Sequence, residues 1–293
     1  MLGEIRGPIR FKEPLSFHTS LRIGGSADVF IVPHDIDDVR QALAFAERER
    51  LPVVVLGGGN NLLVRDHGIR GVVLRLEGCL GRAEFQGEEA VVGGGASLPG
   101  LIRDAADRNL GGLECLVGIP ATIGGALATN AGTREGSIGE FVSVLYYLHP
   151  DGTFGELKSG IGAFTYRGAV EVPAGAVVVG CRLRFDRRPR AEVRKEIRTR
   201  LKRKTLTQPL ALASAGYVWK NPPGDVASYV IGKAGLKGKR FRAAEISSKD
   251  PNFIVNRGSA TAADVQALLD LTRERVQERF GITLEHEIRI VGE

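Results

Sequence analysis

The chain has 293 residues, of which 43% are hydrophobic and 25% are charged, and its formal net charge is +6. These proportions are typical of a globular protein with a sizeable core, divided into about two domains. No apolar run approaches the ~18 residues of a membrane-spanning helix, and the opening MLGEIRGPIRF contains no signal-peptide core. We therefore expect a cytoplasmic protein without membrane insertion.

Cysteine and histidine usage predicts neither disulfide bonds nor a metal site. The three cysteines, Cys79, Cys115 and Cys181, are odd in number and form no C-x-x-C pair, which is typical of reduced thiols. The five histidines are scattered, and none stands four residues from another. We therefore expect no metal ion.

The first part of the chain alternates strand and helix signals. ADVFIVP (27–33) predicts a strand, and the following DIDDVRQALAFAERER (35–50) carries apolar residues at helical spacing. LPVVVLGGG (51–59) and GVVLRL (71–76) predict two further strands. Together these elements indicate a β-α-β unit of about 70 residues.

The middle of the chain mixes short strands with one helix. The helix is predicted over 98–110, with Gly111 as its stop. The HPDG sequence after an apolar run indicates a hairpin turn. The predicted strands are EEAVVGGG (88–95), SVLYYLHPDG (143–152) and AVVVGCRLRF (176–185). This pattern favours a second, α+β lobe.

A strongly basic stretch follows, with twelve basic residues and three acids between Arg182 and Lys204. Val193, Ile197 and Leu201 stand at helical spacing in it, which predicts an amphipathic helix with a solvated basic face. The alternative is an electrostatic funnel for an anionic ligand. We do not expect nucleic acid, because no aromatic residues are interleaved to stack on bases.

The last part of the chain contains the best-defined helix, TAADVQALLDLTRERVQERFG (261–281). Thr261 and Asp264 form a capping-box pattern, and Gly281 is a natural residue to end the helix. LEHEIRIVG (284–292) predicts a strand after it.

Two glycine-rich segments are the candidate ligand-binding features. VVVLGGGNNLLV (53–64) is a strand, a glycine turn and another strand, and such a turn is either a tight turn or an anion nest of backbone N–H groups. It lacks the third glycine of the dinucleotide fingerprint and has no Walker lysine. Residues 118–140 are glycine-rich and almost uncharged before Arg134, which suits a surface loop or a surface against a flat aromatic ligand. Two such segments together suggest a large cofactor.

In order and spacing, the motifs resemble the UDP-N-acetylenolpyruvoylglucosamine reductases (UDP-N-acetylmuramate dehydrogenases), flavoenzymes of bacterial cell-wall synthesis. The likeness covers nearly the whole chain. Its motifs are HTSLRIGGSADVFIVP (18–33), VLGGGNNLLVRDHGIRGVVLRL (55–76), LECLVGIPATIGGALATNAG (113–132), FTYRG (164–168), TQPLALASAGYVWKNPPG (207–224), GLKGKRFRAAEISSKDPNFIVNRGSATAADV (235–265) and LEHEIRIVGE (284–293).

The resemblance implies an α+β fold, with a two-lobed FAD-binding domain of the vanillyl-alcohol-oxidase/PCMH type and a C-terminal α/β substrate-binding domain. It places lobe 1 at 1–78, lobe 2 at 79–190 and the substrate-binding part at 191–293, in the form without an inserted tyrosine loop. FAD is expected to be non-covalent, because no histidine stands in the 57–62 loop. The residues implied to bind FAD are Gly57, Gly58, Gly59, Asn60, Asn61, Leu62, Ile119, Pro120, Gly124, Gly125, Asn130 and Gly132.

The implied reaction transfers hydride from NADPH through FAD to the enolpyruvyl group of a UDP-sugar. Arg167 is expected to hold the substrate carboxylate and stabilise the enolate. Glu287 is expected to orient or assist the proton donor, although its place in LEHEIRI is equally that of an exposed strand carboxylate. The implied substrate-binding residues are Tyr166, Lys220 and Asn221. The partners are the UDP-sugar and NADPH, and the protein is expected to be a monomer.

The sequence departs from the family pattern where the substrate binds. Tyr217 stands where relatives usually have the serine that gives the proton, and a phenol is also a sufficient donor. Further departures are Arg242, Ala243 and Asp250, the last at a position where relatives often have histidine. We expect the activity to be retained. The alternatives are a donor other than Tyr217 (water or Glu287), an FAD oxidoreductase with another substrate, and a non-catalytic flavin-binding paralogue.

Overall fold

The computed structural model describes residues 2–76, 78–158, 164–166, 168–169 and 172–293. Arg167, one of the predicted catalytic residues, lies outside the described residues. The α-helices are α1 (Ile36–Arg48), α2 (Leu98–Asp107), α3 (Ile123–Ala128), α4 (Arg190–Thr207), α5 (Ala227–Lys233) and α6 (Ala262–Phe280).

The strands are β1 (Ile9–Pro14), β2 (Ser26–Ile31), β3 (Val53–Leu56), β4 (Leu62–Val64), β5 (Ile69–Arg75), β6 (Ala83–Gln86), β7 (Glu89–Gly93), β8 (Leu110–Gly111), β9 (Gly132–Thr133), β10 (Gly136–Ser137), β11 (Val142–Leu148), β12 (Phe154–Lys158), β13 (Phe164–Thr165), β14 (Gly168–Ala169), β15 (Val177–Arg184), β16 (Asp186–Arg187), β17 (Ala213–Tyr217), β18 (Arg240–Phe241), β19 (Ala244–Ile246), β20 (Phe253–Asn256) and β21 (Arg289–Val291).

The chain divides into two compact units that are not consecutive stretches of sequence. Unit 1 consists of residues 1–11, 28–58 and 71–202. Unit 2 consists of residues 12–27, 59–70 and 203–293. The glycine turn after β3 is therefore divided, with Gly57 and Gly58 in unit 1 and Gly59 in unit 2.

Unit 1 contains two sheets, each covered by helices. One has the strand order β1-β2-β5-β3, and its strands β3 and β5 are parallel. Its core includes buried residues of α1, as the β-α-β pattern predicts. The other sheet has the order β12-β11-β15-β7-β6, with antiparallel pairs throughout, and its core includes residues of α2 and α3.

Unit 2 is built around an antiparallel sheet of order β17-β20-β19-β18 and the helices α5 and α6. A parallel pair of β4 and β21 completes it. Trp219, the single tryptophan of the chain, is 1% exposed in the core of this unit. Val218 is equally buried.

The helices with local start and stop signals are confirmed. Asp35 caps α1 by accepting hydrogen bonds from the N–H groups of Asp37 and Asp38. Thr261 and Asp264 form the predicted capping box of α6, and Gly281 ends that helix in the left-handed region at φ +67°. Each signal lies within the helix or next to it, so it acts without help from the rest of the fold.

The predicted end of α2 at Gly111 is wrong. The helix ends at Asp107, and Asn109 takes the left-handed conformation at φ +60°. Leu110 and Gly111 instead form β8, which pairs with β16. The partner strand lies about 75 residues further along the chain, so no signal near residue 111 could indicate it.

The basic stretch is helical only from Arg190 onward. Arg182 and Arg184 belong to β15, and α4 begins at Arg190. Val193 is buried and Ile197 packs against the unit 1 core, but Leu201 is 41% exposed. The apolar stripe is therefore buried most fully in the first turns of α4.

Candidate functional site

The glycine turn between β3 and β4 is shaped by close backbone packing. Gly59 is in the left-handed region at φ +64°, and a Cβ there would lie 2.1 Å from the carbonyl oxygen of His18. Its own carbonyl accepts hydrogen bonds from the N–H group (3.0 Å) and the hydroxyl (3.2 Å) of Ser20. Only glycine fits this position.

The same turn presents unpaired backbone donors. Gly59 is buried, yet among the described residues no acceptor is found for its N–H group or for that of Gly58. Buried backbone donors without a partner are rare in folded proteins. The buried N–H group of Gly59, next to the exposed N–H group of Gly58, is the kind of backbone donor that binds an anionic oxygen in a nest, which fits a cofactor pyrophosphate.

Within unit 1, the two glycine-rich segments contact each other. A Cβ on Gly57 would lie 2.3 Å from Oγ1 of Thr122. Thr122 is the N-cap of α3, where its Oγ1 accepts a hydrogen bond from the N–H group of Gly125 at 3.3 Å. The sequence alone did not indicate that part of the 118–140 segment is this short helix. The contact brings Gly57 to the segment that contains Ile119, Pro120, Gly124 and Gly125.

Asn130 uses both ends of its amide inside unit 1. Its Nδ2 donates to the carbonyl of Thr165 at 2.9 Å, and its Oδ1 accepts from the N–H group of Gly139 at 3.1 Å. Gly132 is needed for the adjacent β9-β10 hairpin, because a Cβ there would lie 2.8 Å from the carbonyl oxygen of Gly136. Asn130 thus anchors the strand that leads to Tyr166, whose side chain is exposed.

Tyr217 ends β17 opposite Phe253 of β20, and the two rings are 4.9 Å apart in an edge-on arrangement. Nε2 of Gln208 donates a hydrogen bond to the phenol oxygen at 3.2 Å. Burial, followed by the Asp250 carboxylate, raises the pKa of Tyr217, and Glu287 adds to this effect. The phenol therefore stays protonated at neutral pH and holds a proton that it can donate.

The residues next to Tyr217 are paired with the C-terminal segment. The N–H group of Glu287 donates to the carbonyl of Val218, and that of Lys220 donates to the carbonyl of Glu285, each at 2.9 Å. On the other side, the amide of Asn252 bonds to both the N–H and the carbonyl of Trp219 at 2.9 Å. These bonds fix Glu287 beside the strand that carries Tyr217.

The part of the glycine turn that lies in unit 2 is tied to the same segment. Nδ2 of Asn61 donates to the carbonyl of Glu287 at 3.1 Å, and the N–H group of Arg289 donates to the carbonyl of Asn61 at 3.0 Å. Leu62 then begins β4, in parallel register with Arg289. Asn61 and Glu287, predicted from separate motifs, are therefore neighbours in unit 2.

The predicted substrate-binding pair has partners within unit 2. The ammonium group of Lys220 lies 3.1 Å from the carboxylate of Glu285. Oδ1 of Asn221 accepts a hydrogen bond from the N–H group of Ala227 at 3.0 Å and so holds the start of α5. Asn221 therefore has a structural role at the start of α5.

Several residues that support this arrangement were not singled out from the sequence. They are Ser20, Gln208, Ser228 and Asn252. All stand in or beside the motifs quoted above, but polar residues in loops are common. Only the folded contacts show that Gln208 bonds to Tyr217 and that Ser20 bonds to the carbonyl of Ser214 at 2.7 Å, at the base of β17.

Part of the basic surface of α4 is used in ion pairs of unit 1. Arg190 and Arg194 both pair with Asp107. Arg200 pairs with Glu135 and Glu196. Over the ranges that the structure describes, no group of three His, Cys, Asp or Glu side chains is arranged to hold a metal ion, and no helix has the length and apolar character to span a membrane.

Two family models match the chain. The FAD binding domain model matches residues 27–158. The model of the UDP-N-acetylenolpyruvoylglucosamine reductase C-terminal domain matches residues 208–291.

Curated and solved relatives match over almost the full length. UDP-N-acetylenolpyruvoylglucosamine reductase 2 of Symbiobacterium thermophilum is 44% identical over 286 residues, covering 98% of this chain and 93% of that protein. The crystal structure of UDP-N-acetylenolpyruvylglucosamine reductase from Thermus caldophilus superposes with a TM-score of 0.84 at 36% identity, covering 98% and 100% of the two chains. The BBE-like 1 protein of Physcomitrella patens, with a TM-score of 0.50 and 18% identity over 63% of this chain and 43% of its own, shares the fold alone.

Proposed function

The chain belongs to the UDP-N-acetylenolpyruvoylglucosamine reductase family, and we propose that it reduces the enolpyruvyl group of UDP-N-acetylglucosamine enolpyruvate to UDP-N-acetylmuramate in peptidoglycan precursor synthesis. It is an FAD-containing oxidoreductase with NADPH as hydride donor. The observation that carries this function is the 44% identity to a reductase of that name over 98% of the chain. The superposition on the Thermus caldophilus enzyme, with a TM-score of 0.84, supports it.

The glycine-rich segments fit FAD held without a covalent bond. We propose that the unpaired N–H groups of Gly58 and Gly59 bind the pyrophosphate. The close approach of Gly57 to Thr122 places the second glycine-rich segment beside Gly57. The other proposed contacts are Asn60, Asn61, Leu62, Ile119, Pro120, Gly124, Gly125 and Gly132, with Asn130 as a positioning residue. The chemistry that FAD supplies is hydride transfer from NADPH to the substrate double bond.

Tyr217 is the proposed proton donor to the substrate carbon. Its phenol is held by Gln208, and its raised pKa keeps it protonated. Glu287, fixed beside it through the backbone of Val218 and the side chain of Asn61, is proposed to orient or assist this donor. Arg167, named from the family motif, is proposed to hold the substrate carboxylate and stabilise the enolate.

The anionic half of the UDP-sugar is assigned to Lys220 and Asn221, with Tyr166 as a further substrate contact. An ammonium group is a natural phosphate ligand, and Lys220 directly follows Trp219, whose backbone Asn252 holds. The division into lobes 1–78 and 79–190 and a substrate-binding part 191–293, the monomeric state and the cytoplasmic location also stand as proposals. They follow from the family resemblance.

One assay tests the function as a whole. The purified protein is expected to be yellow with bound FAD, and NADPH oxidation is measured with and without UDP-N-acetylglucosamine enolpyruvate. We expect NADPH to reduce the flavin and the UDP-sugar to reoxidise it. If the flavin is reduced but this substrate never reoxidises it, the proposed reaction is wrong. Tyr217, in place of the usual serine, would then favour an FAD oxidoreductase with another substrate.

A further inference from the structure

Two carboxylates flank the uncharged part of the second glycine-rich segment. That part runs over 118–132 and contains no charged residue. Just before it, Glu114 stands in the turn Leu113–Leu116 and is only 3% exposed. Just after it, Glu135 stands in the turn that joins β9 to β10. The segment therefore has a negative side chain at each end and no charge between them.

Arg188 holds the first of these carboxylates. Its Nη1 lies 3.2 Å from Oε1 of Glu114, and Oε2 of Glu114 accepts a hydrogen bond from the N–H group of Gly112 at 2.6 Å. A Cβ on Gly111 would lie 2.6 Å from Oε1 of Glu114 and 2.8 Å from Cδ of Arg188. The missing side chain at Gly111 therefore makes room for this ion pair.

A glutamate of α4 connects Arg188 to the other end of the segment. Oε2 of Glu196 accepts from Nη2 of Arg188 at 3.1 Å, and Oε1 of Glu196 accepts from Nη2 and Nε of Arg200 at 2.7 and 2.9 Å. Arg200 also donates through Nη1 to the carboxylate of Glu135. Together these pairs form one chain of alternating charges, which we call the ion-pair clamp: Glu114, Arg188, Glu196, Arg200 and Glu135.

The two ends of the segment also lie against each other. A Cβ on Gly136, in the hairpin after the segment, would lie 3.3 Å from Sγ of Cys115. Cys115 belongs to the turn before the segment and is buried in the core of unit 1. The segment is therefore a closed loop, and the ion-pair clamp ties both of its ends to α4.

The composition of this loop makes such a restraint important for ligand binding. The loop contains four glycines, at 118, 124, 125 and 132, and glycine loses more conformational freedom on ordering than any other residue. A loop that is loose without FAD would have to be ordered when FAD binds, and that cost would lower the affinity. A loop already fixed at both ends avoids most of this cost.

The central pairs of the ion-pair clamp are partly shielded from water. The side chains of Arg200 and Glu196 are 27% and 30% exposed. Hydrogen bonds from Arg200 lower the pKa of Glu196, burial opposes this effect, and Arg188 lowers the pKa further. Glu196 is therefore charged at neutral pH and attracts both arginines, with less screening by salt than a fully exposed pair.

We propose that the ion-pair clamp positions the second glycine-rich segment for FAD, with Glu196 and Arg200 as the central positioning residues. The inference rests on the proposed contacts of this segment with FAD and adds a role for α4. At Arg200, the basic surface of α4 is neutralised by carboxylates of the protein. This residue therefore serves neither a solvated basic face nor a funnel for an anionic ligand.

The test measures how fast FAD leaves the loaded protein. FAD-loaded protein is diluted into buffer without FAD, NADPH or UDP-sugar, and release is followed by the change in flavin fluorescence. Arg200→Gln breaks the pairs with Glu135 and Glu196. We expect FAD to leave about tenfold faster, an effect between that of an exposed ion pair and that of a buried one. Glu135→Gln should change the release rate in the same direction.

Arg194→Gln is the matched control. Arg194 stands on the same helix, but its guanidinium pairs with Asp107 at 2.6 Å, which is not part of the segment. Both Arg194→Gln and Arg200→Gln remove one positive charge, so a general loss of attraction for the anionic FAD would affect them equally. We expect Arg194→Gln to release FAD at the parent rate.

Three further measurements separate positioning from a general loss of stability. Arg200→Lys keeps the positive charge and should recover part of the slow release. Arg200→Gln combined with Glu135→Gln should release FAD no faster than Arg200→Gln alone, because the second change removes a pair that is already broken. Salt should accelerate release from the parent more than from Arg200→Gln. Independent destabilising changes would instead add.

Parent-rate release from Arg200→Gln and Glu135→Gln would overturn the ion-pair clamp, and so would release from Arg194→Gln as fast as from Arg200→Gln. If Arg200→Gln does not fold, Glu135→Gln decides the question by itself. A variant purified without FAD, while Arg194→Gln retains it, supports the clamp. No substrate is present, so these outcomes do not depend on the reductase assay. A parent protein that binds no FAD would overturn both the clamp and the proposed function.

Discussion

The ammonium group of Lys220 lies 3.1 Å from the carboxylate of Glu285. The two residues are also joined through the backbone, because the N–H group of Lys220 donates to the carbonyl of Glu285 at 2.9 Å. The cation proposed to bind the diphosphate of the substrate is therefore paired with an acidic side chain of the protein. Substrate binding has to compete with that pair.

Glu285→Gln is accordingly expected to tighten binding of the UDP-sugar. The pair is largely exposed, so its contribution is about 0–1 kcal/mol and the gain in affinity is no more than about fivefold. The dissociation constant of UDP-N-acetylglucosamine is measured by calorimetry for the parent and the variant at low and high salt. The difference should shrink at high salt because ions screen the pair.

Glu274→Gln, an exposed carboxylate on α6, is the control for the change in net charge. In a protein that already carries Lys220→Gln, adding Glu285→Gln should leave the dissociation constant of UDP-N-acetylglucosamine unchanged. The prediction is contradicted if Glu285→Gln alone weakens binding. It is also contradicted if Glu285→Gln raises the affinity by the same factor in a protein that carries Lys220→Gln.

Tyr217→Phe removes the proposed donor hydroxyl and keeps the ring contact with Phe253. We expect turnover to fall on the order of 10²-fold or more, since general acid catalysis contributes effects of that size. Reduction of the bound flavin by NADPH should be unchanged. Steady-state rates and stopped-flow flavin reduction measure the two effects. A variant at the parent rate would show that another group delivers the proton.

Gly57→Ala is expected to weaken FAD binding, because the added Cβ would lie 2.3 Å from Oγ1 of Thr122. Overpacking of this kind costs about 1–3 kcal/mol. The ratio of flavin to protein absorbance after purification measures the loss. Gly3→Ala is the control, since nothing lies within 4 Å of a Cβ there. Adding Thr122→Ala should restore part of the FAD content, and full FAD content in Gly57→Ala alone would contradict the close approach.

His286 is expected to make the folded state less stable in mild acid. Its ring is 4.7 Å from that of Trp219, and the Arg273 guanidinium donates to its Nε2 at 2.8 Å. Burial first and Arg273 second lower the pKa of His286, while Asp270 opposes them. The folded state therefore binds fewer protons than the unfolded chain. This contribution to stability is complete above about pH 6.5 and is lost as the pH falls through the lowered pKa.

The measurement is urea unfolding at several pH values, followed through Trp219 fluorescence. The free energy of unfolding of the parent should fall more steeply below about pH 6.5 than that of His286→Phe, which keeps an aromatic ring but cannot titrate. If the free energy of unfolding falls equally steeply with pH in both proteins, His286 does not cause the loss of stability in mild acid.

The local elements of this fold could be predicted from short stretches of sequence. The limits of α6 follow from Thr261, Asp264 and Gly281, and the start of α1 follows from Asp35, because caps act within one helical turn. The glycine turn after β3 was recognised for the same reason. The end of α2 was not, since Gly111 is drawn into a strand by the distant β16.

The candidate site shows the same division. The order of its motifs in the sequence was enough to indicate FAD and the family, and it identified Tyr217 as the place where this chain departs from that family. The surroundings of Tyr217 depended on the tertiary structure, which places Gln208 on its phenol and brings the Asp250 and Glu287 carboxylates near enough to raise its pKa. Hydrogen bonds and charges act over a few ångströms of space, whatever the distance along the chain. The hydrogen bond and the charges around Tyr217 therefore come together only once the strands have paired.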